Sequence, residues 1–191
     1  MITVVSGVPR SGTSLMMQML AAGGMPILSD GVRAPDANNP RGYFEWEPAK
    51  QLFQEPASIS CADAKAVKVI SSLLLALPPT QTYRIIFLRR PLDEVVRSQE
   101  AMLEKLGAKA ALGVDRMAAA LRAHLKQVET WLAQQSFLAV WPVEYHQLLS
   151  DPEGESKRIQ EFLGMPLDIE SMARQVDTRL YRSRARDPHA L

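Results

Sequence analysis

Two groups of residues in this chain have types and spacings that could do chemistry on an anion. The first is the run Gly7-Val8-Pro9-Arg10-Ser11-Gly12-Thr13-Ser14, which follows an apolar, β-branched segment and opens a helical one. A glycine-bearing loop between a strand and a helix offers a phosphate its backbone N–H groups and the positive end of the helix dipole. The run departs from the pattern GxxxxGK[ST]: Thr13 stands where that pattern needs lysine, and the basic residue, Arg10, lies inside the loop. Without a lysine to reach the β- and γ-phosphates, the loop is expected to hold a phosphate that does not belong to a nucleoside triphosphate. The second group is Arg89-Arg90-Pro91 at the end of another apolar run, with Ser98 following in a helical segment. About two turns into that helix, Ser98 falls on the same side as its start. Arginine and hydroxyl could there clamp a second phosphate.

The elements that must position these groups follow from patterning. Ile2 to Ser6 and Tyr83 to Leu88 read as buried strands, since continuous apolar runs suit a parallel sheet covered on both faces. Ala64 to Ile70 and Phe137 to Val143 read as further strands, and Met25 to Leu28 as a short extended piece. Helices are expected over Gly12 to Ala22, Glu47 to Gln54, Pro91 to Lys105, Val114 to Gln135, Pro152 to Leu163 and Asp168 to Val176, with a short helical Leu73–Leu77 cluster. The Val114 helix has the clearest stripe, with Met117, Leu121, Leu125, Val128 and Leu132 at spacings of three and four. Strands alternating with helices predict a parallel α/β sheet whose ligand site lies at the C-terminal strand ends, where both groups fall.

Composition narrows the function. The 191 residues fit one domain, 1–191, with an arginine-rich tail over about 177–191. A net charge of +1 argues against a non-specific nucleic-acid binder, and no nucleic-acid partner is expected. Of 22 basic residues, 15 are arginine, either because planar forks are wanted for phosphate or sulfate or because the codons are biased. No apolar run is long enough to span a bilayer, so no membrane partner is expected. Cys61 is the sole cysteine, which suits a reducing, cytoplasmic setting.

The opening run resembles the 5′-phosphosulfate loop of PAPS-dependent sulfotransferases, in a P-R-S-G-T-S form. The Arg89-to-Ser98 unit resembles that family's 3′-phosphate segment, and Val143-Glu144-Tyr145-His146-Gln147-Leu148-Leu149-Ser150-Asp151-Pro152 with Phe162-Leu163-Gly164 is similar to its later Y-E-D-L, D-P, F-L-G block. The resemblance implies a P-loop-NTPase-like three-layer α/β fold with a central parallel sheet flanked by helices. It also implies transfer of a sulfuryl group from PAPS, as co-substrate and without a metal, to a hydroxyl or amine of a small-molecule or glycan acceptor.

It further implies roles for particular residues. Pro9, Arg10, Ser11, Gly12, Thr13 and Ser14 would hold the 5′-phosphate through the N–H groups of residues 9 to 14 and the Thr13 and Ser14 hydroxyls. Arg10 and Lys68 would meet the sulfonate and the leaving oxygen. The Arg-to-Ser spacing of eight selects Arg90 with Ser98 for the 3′-phosphate, whereas the proline two places after Arg89 points to that residue; the ligating groups decide for Arg90. Arg182 and Arg184, in the tail, would close over the same phosphate. Many relatives end a strand in Lys-x-His, the histidine acting as base, but Ile70 falls there. None of His124, His146 and His189 fits that role. Asn38-Asn39-Pro40-Arg41-Gly42-Tyr43-Phe44-Glu45 resembles an N-P-x-G-Y-x-E segment of bacterial relatives, which makes Glu45 the candidate base, raised by burial, with Glu47 second. The rival readings are a catalytically degenerate PAPS- or phosphate-binding module and a P-loop small-molecule kinase.

Overall fold

The computed structural model describes residues 1–36, 39, 41–105, 107 and 113–177. Five strands, β1 (Ile2–Gly7), β2 (Ile27–Leu28), β3 (Ala66–Lys68), β4 (Tyr83–Arg89) and β5 (Leu138–Glu144), form one parallel sheet in the order β2-β3-β1-β4-β5. The two strands that read most clearly in the sequence, β1 and β4, sit side by side near its centre, with Gly7 in register with Leu88. The arginine-bearing end of β4 therefore lies beside the mouth of the glycine loop. Pro142, which has no N–H to give a ladder, sits in the edge strand β5.

Strand side chains alternate between two cores. Ile2, Val4, Ile85 and Phe87 pack below the sheet with Val67, Leu52, Ile59, Leu74, Val128 and Leu132. Val5, Ile86 and Leu88 pack above it with Met16, Met17, Met19, Leu20, Leu148, Ile159 and Leu163. The upper layer is built by α1 (Thr13–Ala22), α4 (Tyr145–Ser150), α5 (Pro152–Leu163) and α6 (Ile169–Ala173). The lower layer holds α3 (Val114–Gln134) and three 3₁₀ helices, Glu47–Gln51, Pro56–Ala62 and Ser71–Ala76, while α2 (Leu92–Lys105) packs on α3. This is the three-layer architecture expected from the alternation of strands and helices. Among the described residues no helix is long and apolar enough to cross a membrane.

Several local expectations are corrected. The Glu47 and Leu73 segments are 3₁₀ rather than α-helical, and β3 is confined to Ala66–Lys68 because Ala64 turns through a left-handed φ of 57°. Helix α6 ends at Ala173, short of Val176, and the six-residue α4 was not foreseen.

Candidate active site

The loop after β1 owes its shape to three unusual φ angles: Gly7 at 152°, Arg10 at 73° and Gly12 at 106°. Glycine at position 12 is needed twice over, because an added Cβ would stand 2.7 Å from the Tyr145 ring. Helix α1 begins with Met16 N–H donating to the Gly12 carbonyl at 3.1 Å. The N–H groups of the first turn, before Met16, have no intrahelical acceptor and carry the positive end of the dipole. The expectation of an N–H donor from every residue between 9 and 14 needs trimming. Pro9 has none, and Ser11 gives its own to the Val8 carbonyl at 3.1 Å.

In front of the loop lies a cavity of about 510 Å³, within the range of small-ligand sites. Pro9, Arg10, Gly12, Thr13, Ser14, Glu45, Lys68, Arg90 and Ser98 all line it. Of the ten described residues that the resemblance selects first for the site, nine thus meet in one place. Ser11 is the exception: it is fully buried, with its hydroxyl enclosed in the loop. Arg182 and Arg184 lie outside the described residues.

At one end of the cavity the Arg10 Nε donates to Ser98 Oγ at 3.0 Å, and an Arg90 guanidinium N–H donates to the Arg10 carbonyl at 3.1 Å. Arg90 and Ser98 are therefore joined through Arg10 to the glycine loop. Burial pushes the Arg10 guanidinium down from its ordinary value, and neighbouring Arg90 adds to this. Arg90 is fixed from behind by Glu94, fully buried, whose carboxylate accepts its Nε at 2.9 Å and faces His146 Nε2 at 3.0 Å. Its plane lies 4.5 Å from the centre of the Tyr145 ring, the ring that abuts Gly12. Arg89 turns away, toward Glu129 at 2.9 Å and Glu144 at 3.8 Å, and does not line the cavity. Successive residues at the end of a strand point to opposite sides, which is why only one of the two arginines faces the loop.

At the other end, Lys68 donates to the Ser14 hydroxyl at 3.2 Å and to the Tyr43 carbonyl at 2.9 Å. Burial pushes its ammonium down to about 8, and Arg33, Arg10 and Lys50 press in the same direction. Glu45 lies beside it, bound to Arg33 at 2.9 Å and Lys50 at 3.1 Å. Burial alone would raise the Glu45 carboxyl, as expected. Lys50, Lys68 and Arg33 outweigh burial, and the carboxyl is held below its ordinary value. Glu47 is not part of the cavity; its side chain pairs with Lys50 on the surface. His124 is likewise spoken for, 2.8 Å from Ser71 Oγ.

Two contributors escaped the sequence. Arg33 lies 3.4 Å above the Tyr43 ring, whose hydroxyl donates to Asp36. Tyr145 was visible only as part of a block, with no role attached. The segment carrying Arg33, Asn39, Tyr43 and Glu45 forms one wall of the cavity, and Arg41 ties that wall to the Gln175 carbonyl at 2.6 Å. Among the described residues no cluster of three or more His, Cys, Asp or Glu has metal-binding geometry.

Comparison with known proteins identifies the family and the fold. The profile of the sulfotransferase family matches residues 63–169, a span that holds Lys68, Arg90 and Ser98. No curated protein sequence matches the chain. Among solved structures, the sulfotransferase domain from the curacin biosynthetic pathway is similar at a TM-score of 0.54 and 16% identity, covering 92% of this chain and 77% of that one. Sulfotransferase STF9 from Mycobacterium avium gives 0.52 and 17% over 97% and 69%. Mouse sulfotransferase SULT7A1 complexed with PAP gives 0.59 and 15% over 96% and 66%. At such identities the likeness is one of fold.

Proposed function

The chain belongs to the sulfotransferase family, and from that premise we propose that it transfers the sulfuryl group of PAPS to a hydroxyl or amine of a small acceptor. One observation carries the reading. A single cavity has a helix N-terminus with Lys68 at one end and Arg10, Arg90 and Ser98 at the other. A nucleotide with phosphates at both its 5′ and 3′ positions needs two such anion sites.

In this reading the 5′-phosphosulfate lies on the N–H groups of Gly12, Thr13 and Ser14, with the Thr13 and Ser14 hydroxyls beside it. The 3′-phosphate lies toward Arg90 and Ser98. Glu45 takes the acceptor proton as the acceptor oxygen or nitrogen bonds to sulfur. The bond from sulfur to the bridging oxygen breaks, and 3′,5′-ADP leaves with the electron pair. Negative charge grows on the bridging oxygen, where Lys68 and the α1 dipole meet it; one fixed donor of this kind is typically worth about 10²–10³ in rate. Asp177 lines the cavity, so the tail starts from its edge, and closure by Arg182 and Arg184 is part of the same proposal.

A second reading rests on Glu45, which the cations around it hold below its ordinary value. A weakened base favours a module that binds the donor without transferring its sulfate. Calorimetry with 3′,5′-ADP and with ATP–Mg²⁺, followed by transfer from labelled PAPS to a panel of acceptors, tests the alternatives. Binding of 3′,5′-ADP with transfer supports the enzyme, binding without transfer supports the module, and preference for ATP–Mg²⁺ supports the kinase.

A further inference from the structure

Two residues of α2 hold the two arginines at one end of the cavity. Glu94 and Ser98 stand four apart, about one helical turn, so their side chains fall on the same side. Ser98 accepts from Arg10 at 3.0 Å and Glu94 from Arg90 at 2.9 Å, while Arg90 also donates to the Arg10 carbonyl at 3.1 Å. The arginines and their acceptors form one linked group. Within it, the orientation of the Glu94 carboxylate sets that of the Arg90 fork.

That carboxylate is fully buried. A charge in such a place is tolerated only with an opposite charge and hydrogen bonds to meet it. Its Oε2 faces Arg90, and its Oε1 faces His146 Nε2 at 3.0 Å. An ionised carboxylate can only accept, so Nε2 carries a proton and donates. The two oxygens are thus engaged from different elements, by Arg90 at the end of β4 and by His146 on α4. Rotation about the last side-chain bond of a glutamate is soft, and a second anchor removes that freedom.

His146 differs from the other members in its place. It does not line the cavity, and its side chain is half exposed to solvent. It follows Tyr145, whose ring centre lies 4.5 Å from the Arg90 guanidinium carbon. Two successive residues of α4 therefore address the same arginine, Tyr145 on its face and His146 through its counter-ion.

We infer that His146 is a positioning residue for the 3′-phosphate, acting through Glu94 to keep the Arg90 fork turned toward the cavity. This rests on the proposed donor reading and gives a part in donor binding to a side chain outside the cavity.

The test replaces His146 by Leu, which keeps bulk and loses the N–H, and by Gln, whose amide can place an N–H near the Nε2 position. Calorimetry of 3′,5′-ADP and of 5′-AMP with the full chain reads the effect. His146→Leu should weaken 3′,5′-ADP by about tenfold, the low end for a hydrogen bond to a charged group, and leave 5′-AMP unchanged. His146→Gln should recover most of the loss. A merely structural histidine would weaken both nucleotides together or neither, and either result overturns the inference, as does a Gln variant no better than Leu. Hydrogen exchange at the Arg90 Nε–H, followed by NMR of the arginine-labelled chain without nucleotide, reads the positioning by itself. It should speed up in His146→Leu and slow again in His146→Gln. Unchanged exchange in His146→Leu overturns the inference whatever the nucleotides show. Failure of the unaltered chain to prefer 3′,5′-ADP over 5′-AMP is a different result: it removes the donor reading, and the exchange rate then decides whether His146 positions Arg90.

Discussion

Arg10 reaches Ser98, its Nε donating to the serine hydroxyl at 3.0 Å, so one guanidinium joins the glycine loop to the Arg90–Ser98 unit. A guanidinium can make this reach while keeping its other N–H groups available for a phosphate in fork geometry, which an ammonium cannot. Arg10→Lys is therefore expected to weaken 3′,5′-ADP by about 10- to 100-fold, the worth of a charge-assisted hydrogen bond, and to leave 5′-AMP nearly unaffected. Calorimetry with the two nucleotides reads the difference. Equal losses for both would favour the sulfonate as the partner of Arg10.

Lys68 predicts opposite effects of pH on stability and on binding. Its folded value of about 8 lies below the ordinary lysine value, so the folded protein gives up this proton first. Burial of the charge costs stability fully below about pH 8, and the cost is relieved as pH climbs from there toward the ordinary lysine range. Donor affinity should fall over the same rise, because the charge facing the anion is lost. Titrating 3′,5′-ADP binding across this range should show an alkaline loss with a midpoint near 8. In the complex the bound anion favours the ammonium, so Lys68 itself should titrate higher there than in the free protein. Lys68→Arg should abolish the alkaline loss.

For Glu45, the prediction separates chemistry from binding. Glu45→Gln should lower kcat by about 10²–10⁴ while 3′,5′-ADP binds as before. Since Arg33 and Lys50 hold the carboxyl below its ordinary value, the acid side of the kcat profile should extend below the usual carboxylate range. An unchanged kcat in the variant would assign the proton to another group or to water.

Gly12→Ala adds a Cβ to a residue at φ 106° and drives it against Tyr145. A loss of about 1–3 kcal/mol is expected from the backbone alone, with weaker 3′,5′-ADP binding. Tyr145→Leu in the same chain should recover part of the loss by clearing the contact, and thermal unfolding measures both variants. Recovery of all of it would mean that φ costs nothing there.

Glu94→Ala leaves Arg90 and His146 without their shared carboxylate inside the fold. Removing one member of a buried ion pair typically costs about 3–5 kcal/mol, and denaturant unfolding should show it. Glu94→Gln, which keeps an oxygen for Arg90, should recover a good part.

The parts of the molecule that could be read from sequence are those governed by near neighbours. Strands β1 and β4 announce themselves as apolar runs, the glycine loop by its turn residues, and Arg90 with Ser98 by helical spacing. What could not be read depends on approach through space. Tyr145 matters because its ring fills the room left by Gly12, and Arg33 because it lies over Tyr43; no local pattern carries either contact. The state of Glu45 was misjudged for the same reason. Its burial could be guessed, but Lys50, Lys68 and Arg33 arrive from separate stretches of the fold. In the Glu47 and Leu73 segments the sequence does not separate a 3₁₀ from an α-helix, because over five or six residues periods of 3.0 and 3.6 cannot be told apart.

The two walls of the cavity hang from parts of the fold that are laddered to different degrees. Strand β1 is laddered on both sides and wholly buried, so its amides exchange with solvent only when the sheet itself comes apart. The glycine loop is rooted in that strand. Among the described residues of the facing wall, 29–51, there is no ladder beyond the Asp36–Asn39 bridge, and contacts such as those of Arg41 with Gln175 and of Lys68 with the Tyr43 carbonyl hold it in place. Amide exchange is therefore expected to be faster in that wall than in the floor of the cavity.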